Sequence, residues 1–295
     1  MQSVSIIGVG RVGGALAIAL SRAGFGIDYL IHRDAATVQA ISSLLPPSAE
    51  FVEWSTQLPD LTSDVLLITT SDPDIALVAA GIGDRLRKGS VVIHTSGSLS
   101  SESLSVLADA GDFTGSMHPL VSISDAVSGA ENFKNAFFCV EGHERAVTAA
   151  RAIAASLGAR PFAIDPEHKF LYHAAAVMAC GHLVALVDIA TEMLSKCGLE
   201  KGTGKEILLP LISSTIVNLQ TQSPGNALTG SFARFDVDAI ARHLAALDRE
   251  MSDPVRDVYL LLGERSLELA ASRNPNSPEV QKVRDLISMA KRKCG

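Results

Sequence analysis

The run Gly8-Val9-Gly10-Arg11-Val12-Gly13 lies between an apolar four-residue stretch, Val4-Ser5-Ile6-Ile7, and an Ala/Leu-rich segment that ends at Gly24. A buried strand, a G-x-G-x-x-G turn and a helix in that order open a dinucleotide-binding βαβ unit, a far stronger constraint than the glycines alone. Gly8 permits the tight turn, Gly10 lets backbone approach a pyrophosphate, and Gly13 lets the helix pack closely. The helix N-terminus, at Arg11 and Val12, offers unpaired N–H groups to the phosphates.

The residue about twenty positions beyond the third glycine reads the adenosine ribose. In this chain it is Arg33, at the end of a second strand-like run, Ile27-Asp28-Tyr29-Leu30-Ile31, that closes with His32-Arg33-Asp34. A guanidinium is a planar, permanently charged fork suited to a 2′-phosphate, so NADP is expected, with His32 beside it. Asp34, one residue on, keeps NAD open as an alternative, and Arg33 as a solvated loop charge is the bland reading.

A chain of 295 residues is long enough for two domains. Its formal charge of −7, with no basic run except Lys291-Arg292-Lys293, argues against nucleic acid or an anionic membrane as partner. Cys139, Cys180, Cys197 and Cys294 are scattered without metal spacing, which fits a reducing cytoplasm, and the N-terminus enters the first strand with no room for a signal peptide. The longest apolar stretch, Ala174 to Val187, is interrupted by His182 and followed by Asp188, short of the ~20 clean residues of a bilayer span. A buried helix is expected there, apolar nearly all round, covered by neighbouring helices and by the second subunit of a homodimer.

Strand-like runs recur at 4–7, 27–31, 65–69, 91–94, 114–117, 136–140 and 161–164 with helical stretches between them, the pattern of a mostly parallel doubly wound sheet. Beyond Pro166 the β-like runs give way to helical segments at 167–196, 203–222, 236–248, 253–272 and 277–292. The expected organisation is a Rossmann domain over 1–165 and an all-helical substrate and dimerisation domain over 166–295.

Strand ends in such sheets meet ligands, which places Thr70, Ser71 and Asp72 beside the cofactor. Ser96, after the strand 91–94, either bonds nicotinamide or substrate or caps the structure that follows Leu99. His118, at the mouth of the next strand and followed by Pro119, is either a proton carrier or a hydrogen-bonded structural imidazole. Lys169 and His173 are i and i+4 on one helical face, where a cation and an imidazole can donate to a carbonyl or imine as hydride arrives; the alternative is an ammonium that snorkels from a helix end. His182, nine residues past His173, points the other way on a continuous helix and is assigned to packing or an interface.

His94-Thr95-Ser96-Gly97, Gly115-Ser116-Met117-His118-Pro119-Leu120, Tyr172-His173-Ala174-Ala175-Ala176-Val177, and Leu228-Thr229-Gly230 with Arg234 carry a resemblance that runs nearly end to end. The chain resembles the 6-phosphogluconate dehydrogenase-like superfamily, and within it a Rossmann-like branch with a C-terminal domain of unknown function. The resemblance implies an NADP-dependent oxidoreductase moving hydride between nicotinamide and a small polar, carboxylated substrate bearing C=O, C–OH or C=N. It implies that Lys169 is the catalytic lysine of β-hydroxyacid dehydrogenases, with His173 where those enzymes carry Asn. It also pairs His118-Pro119 with the His-Pro motif of prephenate dehydrogenases, and Ser223–Thr229 in part with the substrate loop of pyrroline-5-carboxylate reductases. An Asn usual in the closest branch is replaced by Gly181, which motivates the rival expectation of an NADP-binding sensor without turnover.

Overall fold

The computed structural model describes residues 2–55, 57–200, 202–273 and 277–292, so Lys293 and Cys294 lie outside it. Strands β1 (Ser3–Ile7), β2 (Gly26–His32), β3 (Glu50–Glu53), β4 (Val65–Ile68), β5 (Val91–His94), β6 (Phe113–Leu120), β7 (Phe137–Gly142) and β8 (Arg160–Phe162) form one sheet. Their order is β3-β2-β1-β4-β5-β6-β7-β8, parallel throughout except where β6 meets β7. Every strand but β3 coincides with a run read from the sequence. Glu50-Phe51-Val52-Glu53 was not foreseen because an edge strand with charged ends carries little apolar signal.

Helices α1 (Arg11–Arg22), α2 (Ala35–Ile41), α3 (Asp72–Ile82), α4 (Ser105–Asp109), α5 (Ala126–Gly129) and α6 (Glu144–Ser156) fill the connections. Alternate strand residues face opposite sides of the sheet. Ile6, Leu30 and Leu67 enter one core with Leu16 and Leu20 of α1 and Ile153 of α6. Ile7, Ile31, Leu66 and Ile68 enter the other with Ile75 and Val78 of α3. Each such side chain contributes about 1.5–3 kcal/mol on burial, and the two cores hold the carboxyl ends of β1, β2, β4 and β5 in fixed register.

The chain then continues through α7 (Lys169–Ala179), α8 (Gly181–Lys196), α9 (Thr203–Thr221), α10 (Pro224–Ala227), α11 (Gly230–Ala233), α12 (Val237–Glu250), α13 (Asp253–Ala271) and α14 (Pro278–Arg292). It forms two compact units, Met1–Cys180 and Gly181–Gly295. Composition changes near residue 165, yet α7 stays with the first unit because its first residue, Lys169, is buried there. In the second unit, Ile240 and Leu244 of α12, Leu260 and Leu267 of α13, and Val283 and Ile287 of α14 form a core at helical spacing.

Two expectations about the long apolar segment are corrected. The helix expected over 167–196 is broken at Cys180, where ψ falls to −68°, so α7 and α8 are separate and the half-turn argument for His182 does not apply. Nor is the segment buried within this chain: Phe170 and Leu171 are each 70 % exposed and Val184 68 %. By length and composition Pro166–Lys196 qualifies as a membrane span, which the reading of Ala174–Val187 alone did not allow. Its first turn, however, is anchored at the sheet by a buried lysine, and α8 packs on α9.

Candidate functional site

A cavity of about 360 Å3 opens at the carboxyl ends of β1, β2 and β4, where the strand order reverses on either side of β1. Such a reversal is where doubly wound sheets bind ligands. Gly8 holds φ at 99°, a conformation costly for any residue with a Cβ, and this turns the chain from β1 into α1. A Cβ on Gly13 would collide with the Gly8 carbonyl oxygen and the Thr69 hydroxyl, so glycine there lets α1 close onto the sheet. Gly10 differs, because a Cβ built on it would meet nothing within 4 Å. The protein leaves that volume open in front of an α1 N-terminus with no side-chain cap and no acidic residue in its first turn, with Arg11 and Val12 leading the helix. An anion suits such a place.

Two further observations fit a nucleotide. His32 Nδ1 and Thr70 Oγ1, on residues lining the cavity, are buried with no hydrogen-bond partner among the described residues, and a polar ligand would satisfy such atoms. Arg33, 59 % exposed, also lines the cavity, its Nη1 lying 3.3 Å from Asp74 Oδ2. Asp34 Oδ1 accepts from the Ala36 N–H at 2.9 Å and caps α2, so the carboxylate that kept NAD open serves the helix. Ser71 Oγ donates to Asp74 at 2.7 Å, and Asp72 accepts from Ser98 Oγ at 2.5 Å.

A second cluster lies beyond the end of β5, within β6 and near the end of β7, with His118 inside β6 rather than at the strand mouth expected from sequence. Lys169 is 1 % exposed. Its ammonium donates to Ser116 Oγ and to the Ser96 carbonyl at 3.2 Å, and lies 3.6 Å from Glu141 Oε1. Two of the three ammonium N–H donors have protein acceptors within hydrogen-bond distance, and Glu141 adds an ion pair. Burial pulls the lysine below its usual pKa, while the Glu141 carboxylate pulls it back up. Glu141 is itself held by the Ser101 N–H at 2.9 Å and the Ser101 hydroxyl at 2.8 Å. Lys169 therefore does not snorkel; its buried ammonium ties α7 to β6, β7 and the turn after β5.

His118 and His173 stand beside this anchor. His118 Nδ1 is 2.7 Å from the Tyr172 hydroxyl, and the His118 and His173 rings lie 5.9 Å apart edge to face. Burial foremost, with the positive charge of His173 and Lys169 added, pushes the His118 pKa down to about 4. Burial raises the Tyr172 phenol, so both groups are neutral at pH 7. In the tautomer in which the Tyr172 hydroxyl donates to Nδ1, the ring proton of His118 stands on Nε2. A Cβ on Gly97 would lie 2.8 Å from that Nε2 and 2.6 Å from His173 Cδ2, so the 95–97 turn closes directly over both imidazoles.

That turn is shaped by its own side chains. Ser96 Oγ accepts from the N–H groups of Ser98, at 3.2 Å, and Leu99, at 3.0 Å, and thus caps the following turn rather than standing free. Buried His94 accepts the Ser96 N–H on Nδ1 at 3.1 Å and holds the Ser100 carbonyl through Nε2 at 3.0 Å; burial lowers its pKa to about 4.

Of the residues expected from sequence, Lys169, His173, His118 and Ser96 converge at one cluster. Gly8, Gly10, His32, Arg33, Thr70 and Ser71 line one cavity, while Gly181, His182 and Ser223–Thr229 belong to the second unit. Sequence reasoning did not name Asp74, Glu141, Ser116 or Tyr172 as site residues, and the structure places each against one that it did name or beside the cavity. Tyr172 sat beside His173 in a motif already singled out. Glu141, inside an apolar strand, gave no signal that its partner lay on a helix twenty-eight positions later, at Lys169.

Residues 1–119 match the Rossmann-like domain model and residues 136–266 match a domain of unknown function, DUF2520. The two matches together run along most of the chain, a Rossmann-like part followed by a DUF2520 part. This agrees with the superfamily and the branch that its motifs resemble. No curated protein matches it. Among solved structures, a Bacteroides fragilis protein provisionally named an NADP oxidoreductase is 26% identical, with 90% of this chain and 98% of that one covered at a TM-score of 0.72. An imine reductase from Myxococcus stipitatus, in complex with NADP+, is 16% identical, with 92% and 99% covered at a TM-score of 0.63. A Plasmodium falciparum pyrroline carboxylate reductase with NADP bound is 14% identical, with 91% and 98% covered at a TM-score of 0.55. The latter two show a shared fold.

Proposed function

We propose that the protein is an NADP-dependent oxidoreductase acting in the cytoplasm on a small, polar, carboxylated substrate with a C=O, C–OH or C=N group. The observation that carries the reading is the juxtaposition, within one compact unit, of the glycine-turn cavity bearing Arg33 and the His118–Tyr172–His173 cluster at β6. The NADP-linked names of the structural neighbours support it.

When bound, the coenzyme supplies or accepts a hydride at its nicotinamide. The α1 N-terminus at Gly10, Arg11 and Val12 would hold the pyrophosphate, Arg33 with His32 the 2′-phosphate, and Thr70 the intervening sugar or phosphate oxygens. His118, with Tyr172 donating to its Nδ1, would donate a hydrogen bond through Nε2 to the reacting oxygen or nitrogen, which His173 also orients, and the proton taken up there as hydride arrives would come from solvent. Lys169 contributes a fixed buried charge and the position of α7. A homodimer is part of the proposal, supported by the exposed apolar residues Phe170 and Leu171 on α7 and, separately, Val184 on α8, which are costly to leave in water.

Calorimetric titration with NADPH and NADH, followed by NADPH fluorescence across keto acids, imino acids and alcohols, tests the reading. Tighter NADPH binding and turnover of at least one carboxylated substrate are expected. Binding with no turnover across the panel would favour a coenzyme-binding sensor instead.

A further inference from the structure

Among the described residues Asp74 is the carboxylate that meets Arg33 inside the cavity, and the coenzyme reading does not use it. It lies in the first turn of α3, whose neighbouring residues Ile75 and Val78 are fully buried, so its position is set by the core. Arg33 follows the end of β2 and is mostly exposed, so the guanidinium is the mobile partner. The Ser71 hydroxyl and Arg33 both favour the charged form of Asp74, as does the helix N-terminus.

We propose that Asp74 is a second determinant of coenzyme choice: its carboxylate competes with a 2′-phosphate for Arg33 and accepts a hydrogen bond from an unphosphorylated 2′-hydroxyl. The inference rests on the coenzyme reading above. A dianionic phosphate approaching Arg33 must share the guanidinium with a fixed negative charge that Ser71 holds in place. A ribose hydroxyl at the same point finds an acceptor instead. Arg33 therefore favours NADPH while Asp74 moderates the preference and keeps NADH as a usable ligand.

The sole tryptophan, Trp54, lines the same cavity and reports binding through its emission. NADPH and NADH are titrated into the wild type, Asp74→Asn and Asp74→Glu at low and high salt, with circular dichroism confirming the fold. Asp74→Asn keeps an acceptor for Ser71 and removes the charge. It should tighten NADPH about fivefold, the scale of an exposed ion pair, and weaken NADH by a similar factor. The NADPH gain should shrink in high salt, where exposed charges are screened, and Asp74→Glu should stay within about twofold of wild type. NADPH affinity unchanged or weakened in Asp74→Asn, with the wild type binding normally, overturns the role of Asp74 alone. A wild type that binds neither nucleotide overturns the coenzyme reading and the role of Asp74 with it.

Discussion

Replacing Lys169 by Met separates an anchoring lysine from a free proton donor. In the structure the change removes the cation from a site where Glu141 is 5 % exposed and Lys169 1 % exposed. Breaking a buried pair by removing one partner costs about 3–5 kcal/mol, because the remaining charge is left uncompensated. Two features move the expectation to the lower end. Glu141 keeps the Ser101 N–H and hydroxyl bonds, and a carboxylate stranded in this way can take up a proton. Lys169→Met should therefore lower unfolding stability by about 3 kcal/mol in urea titration at pH 7, with far-ultraviolet dichroism showing a native fold before the transition. The double variant Lys169→Met with Glu141→Leu should recover most of that loss, since replacing a buried pair by apolar side chains of similar volume is often neutral or stabilising. A solvent-facing catalytic lysine behaves differently: its removal leaves stability within about 0.5 kcal/mol. A Lys169→Met protein as stable as wild type would refute the anchor and return the donor role to the lysine.

Arg33→Ala should weaken NADPH by about 1.5 kcal/mol, the lower end for a hydrogen bond to a charged group because the guanidinium is mostly exposed, and leave NADH nearly unchanged in calorimetry; equal losses for both would sink the assignment. His94 and His118 have pKa values pushed down to about 4 in the folded chain, against 6.5 for a free imidazole, so the unfolded chain takes up protons first as pH falls. Their contribution is complete above pH 6.5 and is lost between pH 6.5 and about 4, by about 3 kcal/mol for each, and His94→Gln should flatten the stability-pH curve over that window by a similar amount. Once a substrate is found, His118→Asn should cut turnover by about 10²–10⁴ while NADPH affinity holds; near wild-type turnover would remove His118 from the chemistry. Sedimentation at micromolar concentration should give a dimer that Val184→Glu with Leu171→Glu converts to monomer, and a wild-type monomer would end the argument from the exposed apolar faces.

The doubly wound sheet was legible because its signal is local: the glycine turn sits between strand and helix, and four-residue apolar runs recur between helical stretches. The same holds for the turn at Gly8 and the close packing at Gly13, which follow from their spacing along the chain. His118 and Lys169 were also visible, as residue types on a strand and at a helix end. What each side chain does was decided elsewhere. The sheet register brings Ser116 and Glu141 opposite one another on β6 and β7, and α7 lowers Lys169 between them, contacts that favour the anchor over the donor among the sequence readings of this lysine. Packing of α3 sets Asp74 against Arg33 across the cavity, a contact between residues forty-one positions apart. Periodicity records which way a side chain faces on its own element. Which charges are taken out of water together depends on elements that meet only in the folded chain, and that shared desolvation determines the chemistry of the site.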